Sequence, residues 1–168
     1  MVFCMYVRLI CCRSGDNIGT MTRKIFFFVI AAVLVGALLA VMPRDITTLL
    51  PAAEKYYVFC RSSDKATTDN GISKVVETTN DLSAVLFGAK YVDGVTAVLP
   101  VDTDVADLLQ RLHAEVLSVN TCDDIDEYLC YSPRVRGGVF VDGQRVNVQI
   151  AVTDTSVYVG SPLILGAY

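Results

Sequence analysis

The chain has 168 residues, a formal net charge of −4 and 53% hydrophobic residues, with no tryptophan, one histidine and six cysteines. Its acidity argues against a protein that neutralises phosphates with Lys and Arg, and so against a general nucleic-acid binder. No Walker loop, dinucleotide fingerprint or HExxH zinc motif occurs.

Residues 1–20, MVFCMYVRLICCRSGDNIGT, hold Cys4, Cys11 and Cys12 ahead of a second methionine, Met21, that opens an export-like start, MTRKIFFF. They read as an upstream extension or a short cytoplasmic tail. Residues 21–43 read as a signal anchor, because Ile25 to Met42 is an unbroken apolar run behind Arg23-Lys24. Eighteen residues reach the lower edge of what spans roughly 30 Å of hydrocarbon. Basic residues cluster before the run, whereas residues 44–168 carry ten Lys or Arg against seventeen Asp or Glu. Positive flanks stay inside, which puts the C-terminal part outside the cytoplasm. A cleaved signal peptide would look similar, but small residues at −3 and −1 are poorly offered, so an uncleaved anchor is the expectation.

Residues 44–54 read as a linker and 55–168 as one extracytoplasmic domain. Tyr56 to Cys60 is strand-like, Ser62 to Gly71 a turn-forming loop, and Lys74 to Thr79 either a short strand or part of a helix. Ser83 to Val92 and Val95 to Val101 read as strands joined by an Asp93-Gly94 hairpin turn. The clearest soluble helix follows, with Val105, Leu108, Leu109 and Leu112 at i, i+3, i+4 and i+7. Thr103 or Asp104 can cap it, and His113 near its end reads as a solvated or dipole-compensating residue.

Glu115 to Val119 is the next expected strand, and the acidic stretch after Cys122 reads as a solvated loop, its spacing wrong for an EF-hand. Tyr128 to Tyr131 is a strand ended by Ser132-Pro133. A second turn, Asp142-Gly143, leads into Arg145 to Val152, RVNVQIAV, whose alternation predicts one core face and one wet face bearing Arg145, Asn147 and Gln149. Phe59, Phe87 and Phe140 are expected in the core. The fold class is α+β: a curved antiparallel sheet with one packed amphipathic helix, preceded by a single transmembrane helix.

Of the downstream cysteines, Cys122 and Cys130 form the local candidate disulfide; a pairing through Cys60 and three buried thiols are the alternatives, and the buried reading is slightly preferred. A cysteine nucleophile would need His113 as its base, and no motif places them together. The sequence implies no cofactor and no metal.

Residues 145–152 with Val157-Tyr158-Val159-Gly160-Ser161-Pro162-Leu163-Ile164 and the terminal Tyr168 resemble the C-terminal end of the YwmB family, exported proteins of spore-forming Gram-positive bacteria. The resemblance implies an export segment, a fold like the TATA-box-binding protein and a sporulation context, with no catalytic residues to transfer. Members carry a longer, two-part exported region, so a full saddle here would need two chains, which makes a homodimer a candidate assembly.

The expected function is a membrane-anchored, non-enzymatic extracytoplasmic domain that binds another envelope component, a protein, through Arg145, Asn147, Gln149, Tyr131 and Arg134. The alternatives are a hydrolase using a carboxylate pair and, disfavoured by charge, a nucleic-acid binder.

Overall fold

The computed structural model describes residues 18–50, 53–69, 73–79, 82–122 and 124–166, with the side chains of 18–24 and 39–41 left out. The chain divides into two units, Met1–Met42 and Pro43–Tyr168.

The first unit holds helix α1, Ile18–Val41. Its described side chains, residues 25–38, are all exposed. Among the described residues no helix is long and apolar enough to cross a membrane. The anchor over 25–42 stays a reading of the sequence. Cys4, Cys11 and Cys12 lie outside the described residues.

The second unit is an eight-stranded antiparallel sheet with two helices. Its strands in chain order are β1 Lys55–Ser62, β2 Thr68–Asp69, β3 Lys74–Thr78, β4 Lys90–Pro100, β5 Glu115–Cys122, β6 Ile125–Tyr131, β9 Val148–Val152 and β10 Ser156–Ser161, with a separate β7–β8 hairpin, Val139–Val141 and Gln144–Val146. The spatial order is β2-β3-β1-β4-β10-β9-β6-β5. Helix α2, Leu82–Gly88, connects β3 to β4, and α3, Val105–Leu112, connects β4 to β5.

Alternation along the strands sorts two faces. Val58, Val76 and Val95 pack with Cys60 beneath Val85 of α2. Leu99, Cys130, Val148, Ile150, Val157 and Val159 pack with Leu108 and Leu112 of α3. Ile46, Leu49 and Leu50, within the stretch expected to be a linker, join this second cluster, and a 3-10 turn, Ile46–Thr48, carries them in. Asp104 caps α3 as expected, its carboxylate accepting from the Ala106 N–H at 2.8 Å. His113 ends α3 in the left-handed region and is exposed.

The Asp93-Gly94 turn is corrected. β4 runs straight through it, with Phe59 opposite Gly94, Cys60 opposite Val92 and a bulge absorbing the extra residue. Of the run before it, Ser83 to Gly88 lie in helix α2 and not in a strand, with Leu82, Val85, Leu86 and the following Ala89 all reaching one core cluster at helical spacing, while Lys90 to Val92 are the start of β4. The sheet is therefore covered by two helices rather than one. The Asp142-Gly143 turn stands as expected, with φ of 48° and 80° and Val141 paired to Gln144.

The other face of the sheet is not wet at its centre, although the β5 edge is exposed. Residues 162–166 run back over it. The Ile164 N–H donates to Gln149 Oε1 at 2.7 Å, and the Leu163 carbonyl carbon lies 2.5 Å from where a Cβ on Gly160 would stand. Only glycine lets the tail approach that closely. Phe59 is buried as expected, but Phe87 is 95% exposed and Phe140 77% exposed, because α2 turns Phe87 away from its buried stripe and Phe140 stands on the β7–β8 hairpin outside the main sheet.

Candidate interaction surface and the amides beneath it

The chain leaves the sheet after Tyr131 and returns at Val148, and this excursion carries Arg134 and Arg145 of the five residues expected to form the surface, together with Asn147, the buried amide that holds it. Ser132-Pro133 ends β6, since Pro133 offers no N–H to continue the ladder. The turn it makes is then bound from inside. Asn147 Oδ1 accepts from the Ser132 N–H at 2.7 Å, and Asn147 Nδ2 donates to the carbonyls of Ser132 at 2.7 Å and Val135 at 2.9 Å. Ser132 Oγ donates to the Leu112 carbonyl at 2.5 Å and accepts from the Arg134 N–H at 3.1 Å. One carboxamide and one hydroxyl thus join the corner, the end of α3 and the start of β9. The Arg44 N–H donates to the Arg134 carbonyl and Arg136 Nε to the Pro43 carbonyl, each at 2.6 Å, strapping the entry of the unit to the same loop.

Two expected surface residues are corrected by this geometry. Asn147 is 0% and Gln149 8% exposed. Asn147 is covered by the 132–135 corner. Gln149 is covered by the tail, with its amide nitrogen donating to Glu127 and its oxygen accepting from Ile164. Both are fully used inside the fold, as buried amides must be. The alternation that marked them as wet identified residues leaving the α-covered face, but not the segments that return to cover them.

Tyr131, Arg134 and Arg145 do stand at the surface, Tyr131 half-buried and both arginines exposed. Arg145 lies over the Tyr131 ring, 5.8 Å from its centroid, and donates to the Gly137 carbonyl at 2.6 Å. Phe140 pairs with Arg145 across the hairpin and faces solvent. Sequence reasoning missed Phe140 as a surface residue; its signal was a short hairpin arm set apart by glycines at 137, 138 and 143. With Arg136 the excursion and the adjoining Tyr131 hold three guanidiniums and two aromatic rings on an otherwise acidic unit.

The candidate disulfide is also corrected. Cys122 pairs with Ile125 at the tip of the β5–β6 hairpin, while Cys130 pairs with Val116 at its base. About five residues of strand separate them, roughly 17 Å, far beyond disulfide reach. Cys60, Cys122 and Cys130 are free thiols. Cys60 and Cys130 are buried and Cys122 is exposed; burial raises the Cys60 thiol above its ordinary range and pushes Cys130 up to about 11.

Asp45 and Asp93, with Arg136, line a cleft of about 590 Å³. Asp93 faces Arg61 at 3.7 Å there. Among the described residues no three His, Cys, Asp or Glu side chains gather to hold a metal. No protein-family model, curated protein or solved structure matches this chain.

Proposed function

We propose that residues 25–42 anchor the chain in a membrane and that the 43–168 unit, outside the cytoplasm, is a non-enzymatic module. It binds an acidic segment of another envelope protein through Tyr131, Arg134, Phe140 and Arg145. The carrying observation is the Arg145 guanidinium held between the Tyr131 ring and the Gly137 carbonyl beside an exposed Phe140. Arg, Tyr and other aromatic residues supply most hot spots of protein interfaces, and a fixed guanidinium loses less side-chain freedom on binding. Three arginines on a domain of net negative charge also give a local field that steers an acidic partner to this face. The export-like apolar run and the resemblance of residues 145–168 to the YwmB family support the placement outside the cytoplasm.

The test is a photo-crosslinking residue placed at position 140 of the full chain in its native membrane. A specific adduct that disappears in the double variant Arg134→Glu, Arg145→Glu, while an adduct from position 155 is unchanged, is the expected result. Capture that survives both charge reversals would overturn the site. Protection of the 43–168 unit from outside protease would overturn the placement.

A further inference from the structure

The tail-covered face of the sheet holds a second cavity, away from the arginine surface. It measures about 330 Å³, and its walls include Tyr57, Phe59, Val75, Thr96, Tyr158 and Leu165. The strands explain the composition. Thr96 on β4 is paired with Tyr57 on one side and with Gly160 on the other. Phe59 and Val75 are paired across β1 and β3. All of these residues fall on the face opposite the helices, and the tail at Ile164, Leu165 and Gly166 forms one wall of this half-open pocket. The volume is at the small end of ligand pockets, whose usual form is an apolar enclosure with a few polar groups.

The polar group is Thr96. It is 3% exposed, and its hydroxyl is buried without a hydrogen-bond partner, the one such side-chain atom among the described residues. A buried hydroxyl without a partner costs free energy. Rotation about χ1 moves the hydroxyl to another of the three staggered positions on Cβ, so one rotamer step turns the oxygen from its buried position toward a different side of the strand. From the aromatic walls and this hydroxyl we infer that the cavity is a binding site for a small, neutral, ring-bearing molecule with one hydroxyl or carbonyl group. The ring stacks among Tyr57, Phe59 and Tyr158, and the polar group pairs with Thr96. An anionic ligand is disfavoured because Lys55, the cation over the Tyr57 ring at 5.7 Å, is already paired with Glu77 at 2.8 Å. This inference is independent of the arginine surface and survives its failure.

The experiment uses the full chain in detergent micelles, methyl-labelled at Thr, Val, Leu and Ile, with benzyl alcohol and toluene as probes. Both share the ring and differ in the hydroxyl. Saturable shifts are expected at the Thr96, Val75, Ile164 and Leu165 methyls with either probe. Thr96→Val keeps the shape and removes the oxygen, so it should weaken benzyl alcohol about tenfold relative to toluene. Comparing the two probes in both proteins cancels their partition into the micelle. Absence of saturable shifts at these methyls overturns the site, and an unchanged ratio between the probes overturns the role of Thr96.

Discussion

Asn147 and Gln149 stand two residues apart, carry the same carboxamide, and are both buried, yet they hold different things. Asn147 closes a corner 12 to 15 residues upstream with three hydrogen bonds, all of them neutral and local to one loop. Gln149 reaches a tail 15 residues downstream and a glutamate 22 residues upstream with one bond to each. The first is part of how the sheet turns; the second pins a terminal segment onto a finished sheet. The same chemistry should therefore carry unequal weight.

The largest difference is expected from truncation. Asn147→Ala leaves the Ser132 N–H and the Val135 carbonyl without partners inside the fold and the Ser132 carbonyl with only the long bond from the Val135 N–H at 3.4 Å, at about 1 to 3 kcal/mol for each orphaned group before relaxation, and we expect a net loss of about 3 to 4 kcal/mol. Urea unfolding of the full chain reads it, together with loss of exchange protection at the Ser132 amide. A cost below that of Gln149→Ala would break the comparison.

Next in size is a pH effect at the same corner. The Cys130 carbonyl accepts from the Asn147 N–H at 3.1 Å, and burial holds the Cys130 thiol at about 11, above its ordinary 9.0. A raised folded value means that the unfolded chain releases the proton first. The stabilising contribution is complete below pH 9 and is lost as the pH climbs to about 11, by roughly 2 to 3 kcal/mol. Unfolding under reductant between pH 8 and 11 should show this slope, and Cys130→Ala should flatten it. A thiol reagent at neutral pH should reach Cys122 and spare Cys130 until the chain unfolds.

Gln149→Ala should cost about 1 to 2 kcal/mol and remove exchange protection at Ile164 while leaving Ser132 protected. Gly160→Ala displaces the same tail by a different route, since its methyl meets the backbone of Leu163 and Ile164. Once the tail is released by one change the other has less left to lose, so the double variant should fall short of the sum by about 0.5 to 1 kcal/mol. Strict additivity would mean that Gln149 acts through Glu127 and not through the tail.

How far the sequence was legible follows the range of the contacts. Helix α3 with Asp104 as one of its two candidate caps, the Asp142-Gly143 turn, strands β1 and β5, and residues 128–131 of β6 and 148–152 of β9 were readable, because each is specified by residues a few positions apart. Ile125 to Glu127, read as a solvated loop, extend β6, and Arg145 and Val146, read as the start of the β9 strand, belong to the separate hairpin. The Asp93-Gly94 signal was equally strong and pointed the wrong way. There β1 pairs with β4 on both sides of the dipeptide, and a bulge absorbs it. Local turn chemistry yields to an established ladder on both flanks. At the candidate surface the exposure of Arg134 and Arg145 was readable and the burial of Asn147 and Gln149 was not. Alternation reports which side of a strand a residue leaves from; the corner and the tail that cover these amides come from elsewhere in the chain.

The smallest expected effect separates Asn147 from the hairpin that lies between it and its corner. Gly143 has φ of 80° in the β7–β8 turn and open space around it, so Gly143→Ala suffers only backbone strain, about 1 kcal/mol. Nothing in that turn touches the Asn147 carboxamide. Ser132 protection should therefore survive in Gly143→Ala even as the hairpin amides at Val139 and Val141 exchange faster. If Ser132 is lost along with them, the corner depends on the hairpin and Asn147 merely completes it; if it persists, the amide itself fixes the base from which Tyr131 and Arg145 are presented.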